Sequence, residues 1–178
     1  MNVLNQPSGS RKSKEVAEAA PVSNLSTDGK HIYFTRARWD ELFTESLIVW
    51  IALHPPVSKL ANDPFFVRSK RISTLLGFTS LRIVYLYSKR VQSARGLGPD
   101  CVGEYCDHWI KKSIEKADRV VAAWGQEPIA RQRSQFIEQT ADGANKEVFC
   151  LRREIMGDPA SPVYFFGPPK LVPLYEAE

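Results

Sequence analysis

Several side chains able to do chemistry stand where short apolar runs stop. His54 follows the run from Leu47 to Leu53 and is succeeded by Pro55 and Pro56. An imidazole titrates near neutrality, and two prolines hold it rigidly, so His54 suits a catalytic or ligand-contacting role. Its plainer use is a turn histidine bonded to backbone. Lys89 and Arg90 follow the run Leu81 to Tyr87, and Arg152 and Arg153 follow Glu147 to Leu151. Ammonium and guanidinium groups converging from separate loops would hold an anion, the guanidinium gripping phosphate in a fork. The run Val120 to Ala123 ends in Trp124 and then Gly125. An indole, like the phenol of Tyr85, either offers a π-face to a base or packs in a core. A glycine there lets the chain turn sharply or approach a ligand closely. Gly125 and Gln126, leading to Pro128, could present backbone amides to an anion.

Other chemistries find no support. Cys101, Cys106 and His108 lack the paired spacing of a metal site, and Cys150 falls inside an apolar run. No G-x-S-x-G elbow occurs, and no glycine pattern of the dinucleotide or P-loop kind. No cofactor is expected.

The elements that must carry these residues follow from periodicity. Runs near 47–53, 81–87, 119–124 and 147–151 read as strands buried on both faces, because they are apolar without alternation. His31 to Thr35 reads as a short edge strand, and Val163 to Phe166 as the one plausible strand of the Pro-rich end. Helical spacing marks segments near 64–76, 102–116 and 128–140. Asp63 and Pro64 have the form of an N-cap and first helical residue. Strands alternating with helices predict βαβ crossovers and an α/β fold: a three-layer αβα sandwich with a mainly parallel central sheet of four or more strands. In such sheets ligands bind outside the carboxyl ends of the strands, near the point where strand order reverses. Those ends carry His54 to Pro56, Ser88 to Arg90, Trp124 to Gln126 and Arg152 to Glu154.

Composition sets the frame. The chain has 178 residues, enough for one domain and a tail. Residues 1–30 are small, polar and poor in apolar side chains, and are expected to be a disordered tail preceding a single α/β domain over 31–178. The net charge of +4 does not declare a nucleic-acid binder, yet every charged residue between Pro64 and Pro99 is a base. Three cysteines suit a reducing compartment. No apolar stretch reaches the ~20 residues of a membrane helix, and a secretory signal is not expected because no apolar h-region follows the first basic residues. A soluble cytoplasmic protein without membrane contact is the expectation.

The stretch Ala117–Gly125, reading Ala-Asp-Arg-Val-Val-Ala-Ala-Trp-Gly, resembles the strand ending in Ala-Trp-Gly of a bacterial and phage family known as domain of unknown function 1643. The resemblance extends from about Tyr33 to Tyr164. Leu53 to Pro56 stand where that family has Leu-Asn-Pro-Ser; Asp63 and Pro64 match its Asp-Pro, and Leu76 to Phe78 its step into the next strand. Tyr85 to Arg90 stand where it has Asn-Leu-Phe-Ala and a later Arg. Gly103 to Asp107 is similar to its Gly-x-x-Asn-Asp. Phe149 to Leu151, Gly157 and Ser161 to Tyr164 match its Cys-Leu, Gly and His-Pro-Leu-Tyr run. The departures are His54 for Asn, Pro56 for Ser, Tyr85 for Asn, Cys106 for Asn and Ser161 for His. By fold-level analogy the pattern also resembles uracil-DNA-glycosylase-like domains. That likeness implies a water-positioning role for His54 and places Ser161 where a histidine would polarise the excised base.

The expectation is an anion-binding domain for a nucleotide or nucleic acid, using Lys89, Arg90, Trp124, Gly125, Arg152 and Ser161, with His54 shaping the pocket. An N-glycosidase or hydrolase acting on a nucleobase, with His54 catalytic, is the enzymatic alternative. A protein-interaction module docking through the tail and the Pro-rich end is the third.

Overall fold

The computed structural model describes residues 20–175. Its centre is β3 (Leu47–Ala52), in which every residue from Ile48 onward is buried. Apolar residues on both sides of the pleat demand cover on both faces. The neighbouring strands β4 (Ser80–Tyr85), β5 (Arg119–Ala122) and β6 (Val148–Cys150) make the same demand. Helix α1 (Pro64–Leu75) packs Phe66 and Ile72 into a core with Ile48, Trp50 and Ile83 on one face. On the other, α2 (Cys106–Lys116) and α3 (Arg131–Gly143) bring Ile110, Ile114 and Ile137 to Val49, Ile51 and Val84.

These four strands are parallel, in the order β4-β3-β5-β6. The sheet does not stop there. β1 (Val22–Leu25) pairs antiparallel with β2 (Ile32–Arg38), β2 antiparallel with β4, and β7 (Val172–Pro173) antiparallel with β6. The result is one seven-stranded sheet, β1-β2-β4-β3-β5-β6-β7. The expectation of a mainly parallel sheet is therefore corrected to a mixed one, a parallel centre with antiparallel margins. Helical crossovers are the signal of parallel pairing. The margins join without them, β1 to β2 by a turn closed where Gly29 N–H donates to Ser26 O.

Three further differences have local causes. β1 lies within the stretch expected to be tail, and residues 1–19 of that stretch fall outside the described residues. Its four residues earn their place by ladder bonds and a Ser23–Thr35 hydroxyl pair at 3.1 Å rather than by apolar burial. β2 is consequently interior rather than an edge. Residues 162–164 form a 3-10 turn instead of a strand, set by Pro162 and by Ser161 Oγ accepting from Val163 N–H, and the closing strand comes later as β7.

The connections place the site. Leaving β3 the chain crosses to β4 through α1 on one face; leaving β5, the adjacent strand, it crosses to β6 through α3 on the other. Loops departing in opposite directions from neighbouring strands open a crevice between them at the carboxyl edge. Asp63 starts α1 as its N-cap, Oδ2 accepting from Phe66 N–H at 3.0 Å, with Pro64 next. Trp50 Nε1–H donates to Ser73 Oγ at 2.9 Å and so fixes α1 to the sheet. None of the described helices is long and apolar enough to cross a membrane.

Candidate binding cleft at the carboxyl edge of the sheet

A cleft of about 880 Å³ fills the crevice. Its floor is the ends of β3 and β5, and its walls come from the loops that follow β3, β4 and β6. Of the residues singled out in the sequence, His54, Trp124, Gly125, Arg152 and Ser161 all line it, although they are spread over more than half the chain. Lys89 and Arg90 do not.

His54 Nδ1 lies 3.0 Å from the carbonyl oxygen of Pro55. A carbonyl only accepts, so Nδ1 carries the proton and Nε2 of the neutral ring is left as an acceptor. Trp124 is largely buried, one part of its surface lining the cleft and the rest packed in the core behind it. Gly125 adopts φ 80°, which any other residue would adopt only with strain. Its N–H donates to Pro159 O at 3.1 Å, so the glycine ties two walls together and its amide is not offered to an anion. The nearest atom to a Cβ there would be Ser161 Cβ at 3.9 Å, ordinary contact, so conformation rather than space calls for glycine.

Arg152 NH2 donates to Glu154 Oε1 at 2.6 Å, and both side chains line the cleft. The loop behind them is anchored by Asp158, buried and accepting from Arg131 Nε at 3.2 Å and NH2 at 2.6 Å. Lys89 turns away: its Nζ bonds Asp100 at 2.9 Å while its backbone N–H donates to Cys101 O. Arg90 donates through NH2 to Val57 O at 2.8 Å and supports the loop lining the cleft from behind.

Asp63 was legible in the sequence as a cap, yet its carboxylate also lines the cleft. Burial raises its pKa, against the pull of Phe66 and Phe65 N–H and of nearby His54. The signal that could have found it is its place after the His-Pro-Pro turn, where the chain must re-enter the crevice to start α1. Tyr85 is fully buried, its hydroxyl 3.0 Å from Thr35 Oγ1, and burial raises its pKa. Gln92, Gln126, Glu127 and the exposed Tyr164 also line the cleft, and no pattern in the sequence marked Gln92 or Glu127.

The charge of the cleft lining is mixed. The cleft is lined by one arginine, Arg152, against the carboxylates of Asp63, Glu127 and Glu154. The three cysteines are free and buried, and burial pushes the Cys106 and Cys150 thiols up to about 11. Among the described residues no three His, Cys, Asp or Glu side chains gather as a metal site would require.

Fold and cleft together define an α/β domain with a cavity of mixed polar and apolar lining at its topological switch point. The chain belongs to the family described as Protein of unknown function (DUF1643), which matches residues 33–163. β1 and β7 lie outside that match. No curated protein and no solved structure gives a match.

Proposed function

We propose that the cleft binds a nucleobase, carried by a nucleotide or by nucleic acid, with the heterocycle inside and any phosphate toward Arg152. One observation carries this reading: residues from the loops after β3, β5 and β6 converge on a single cavity at the switch point. Trp124, Phe65 and Tyr164 supply aromatic surface, while Gln92, Gln126 and Ser161 supply amide and hydroxyl groups. Such a mixture suits a planar ring with a hydrogen-bonding edge. With one arginine against three carboxylates, the ring rather than the backbone charge provides most of the recognition.

The test is a calorimetric or intrinsic-fluorescence titration with nucleosides, mononucleotides and short single-stranded oligonucleotides. Saturable binding is expected, weakened about tenfold by Gln126→Ala, the loss of one or two good hydrogen bonds. Arg152→Ala should weaken phosphate-bearing ligands more than nucleosides and flatten the salt dependence. No saturation with any of the three ligand classes, or affinities untouched by both substitutions, would overturn it.

A hydrolytic reading is favoured by a separate observation, the half-buried carboxyl of Asp63 in the same cleft close to His54. A carboxylate of raised pKa is a better proton acceptor toward water. Asp63→Asn is the informative variant because asparagine caps a helix as well as aspartate does. Loss of base release from a panel of nucleosides and modified oligonucleotides, with melting no lower than that of wild type, is the expected outcome. Absence of turnover by the wild-type chain on every member of the panel leaves the domain a binder only.

A further inference from the structure

At the opposite edge of the sheet lies a second hollow of about 390 Å³, walled by Arg36, Arg38, Arg82 and Lys116 together with Glu45 and Asp118. The antiparallel register of β2 and β4 sets Arg36 directly across from Arg82. Like charges opposed in this way repel, and nothing in strand pairing offsets the cost. Arg82 cannot swing clear. Its guanidinium carbon lies 4.7 Å from the ring centroid of Phe34, and NH1 donates to Ser113 Oγ at 3.3 Å. Its Nε is shielded from solvent and has no hydrogen-bond partner. A buried donor of a charged group left in that state is costly, and an anion arriving nearby relieves the repulsion around it.

The other groups divide into committed and uncommitted. Arg38 spends Nε and NH2 on the carbonyls of Asp40 and Phe43, at 3.1 Å and 3.0 Å. Asp118 accepts Leu47 N–H at 2.7 Å through Oδ2. Arg36 and Lys116 are exposed and reach the hollow from β2 and from the last turn of α2. That sets Arg36, Arg82 and Lys116 against Glu45, a local excess of positive charge drawn from three separate elements. A doubly charged tetrahedral oxyanion offsets this excess better than a singly charged carboxylate, and it presents oxygens in several directions to donors arriving from separate elements.

We propose that this hollow is a phosphoryl-oxyanion site, in which Arg36 and Arg82 grip the anion and Lys116 completes its neutralisation. It is independent of the cleft. β4 runs from Ser80 beside the hollow to Tyr85 at the cleft, a span of roughly 17 Å at strand rise. The anion can arrive as free phosphate or as the phosphate of a small ester.

Isothermal titration of the full chain with inorganic phosphate and with ribose 5-phosphate, at ionic strength held constant with chloride, tests this. Saturable binding is expected, weakened about tenfold or more by Arg36→Gln, whose exposed side chain leaves the core undisturbed. Lys116→Gln provides a second variant on a different element and should weaken binding in the same direction. Lys89→Gln, which touches neither hollow nor cleft, should leave it unchanged. Tighter binding of the ester would identify an organic phosphate as the ligand, and equal binding the bare ion; a free nucleoside should compete with neither. Heats no larger than those of the chloride control, or phosphate affinity equal to wild type in both Arg36→Gln and Lys116→Gln, would overturn the assignment.

Discussion

Asp63 holds two roles in one carboxylate. As N-cap it accepts from the first turn of α1, and as a lining group it sits partly out of water. Burial wins, and its pKa lies above the ordinary value. A carboxyl raised in the folded state contributes stability when protonated and loses it as pH rises through the folded pKa. Asp63→Asn keeps the cap and abolishes the titration. Its melting point relative to wild type should therefore climb as pH rises above the ordinary carboxylate value of about 4. Thermal melts at increasing pH check this, and a difference that is flat or falls with pH would contradict it. His54 and Trp124 could be located from sequence because each follows directly on a buried strand, which fixes where the backbone points. Lys89 and Arg90 could not. Their backbone N–H groups donate to Cys101 and Lys30, partners outside the strand and its turn, and those pairings hold the two residues off the cleft, which the same loop reaches only at Val91 and Gln92.

Among the elements, α1 shows how a helix with little apolar surface is held. Phe66 and Ile72 are its buried apolar residues, accompanied by Ser69 and Ser73. Ser73 Oγ donates to Ser69 O at 2.7 Å and accepts from Trp50 Nε1–H, so a single hydroxyl connects helix to central strand. Ser73→Ala leaves the indole N–H of a fully buried tryptophan without an acceptor. The expected loss is about 1–3 kcal/mol, measured by urea unfolding. It should fall mainly in the midpoint and not in the slope, since the surface exposed on unfolding hardly changes. A loss within the scatter of the method would mean that another acceptor takes over. The helix itself was predictable from Asp63, Pro64 and helical spacing. Its docking through serines was not, because short polar side chains carry no periodic signal.

For the whole molecule, β1 closes the margin that β2 would otherwise present. A variant lacking residues 1–30 retains all of the family-matched segment, 33–163, yet exposes one side of β2. Unpaired N–H and C=O groups along an edge invite pairing with another chain. Such a variant should melt at lower temperature and self-associate with increasing concentration, seen by size-exclusion chromatography with light scattering. A monomer of unchanged melting point would show that β1 is dispensable. The two anion-relevant features also separate at this scale. The carboxyl edge has the large, mixed cleft, whereas Arg36, Arg82 and Lys116 meet at the amino edge.

By itself the sequence determined the parallel centre, because unbroken apolar runs bounded by prolines and glycines have few other stable uses, and alternation with helices sets their direction. From that centre it also determined where a cleft had to open and that His54, Trp124 and Arg152 would stand at its strand ends, whereas Ser161 was marked only by the family likeness. Tertiary structure alone decided the antiparallel margins, the departure of Lys89 and Arg90, the entry of Asp63 and the pairing of Arg36 with Arg82. Each of those depends on a contact between residues distant in the chain, and neither local propensity nor periodicity encodes which distant partner a polar side chain will find.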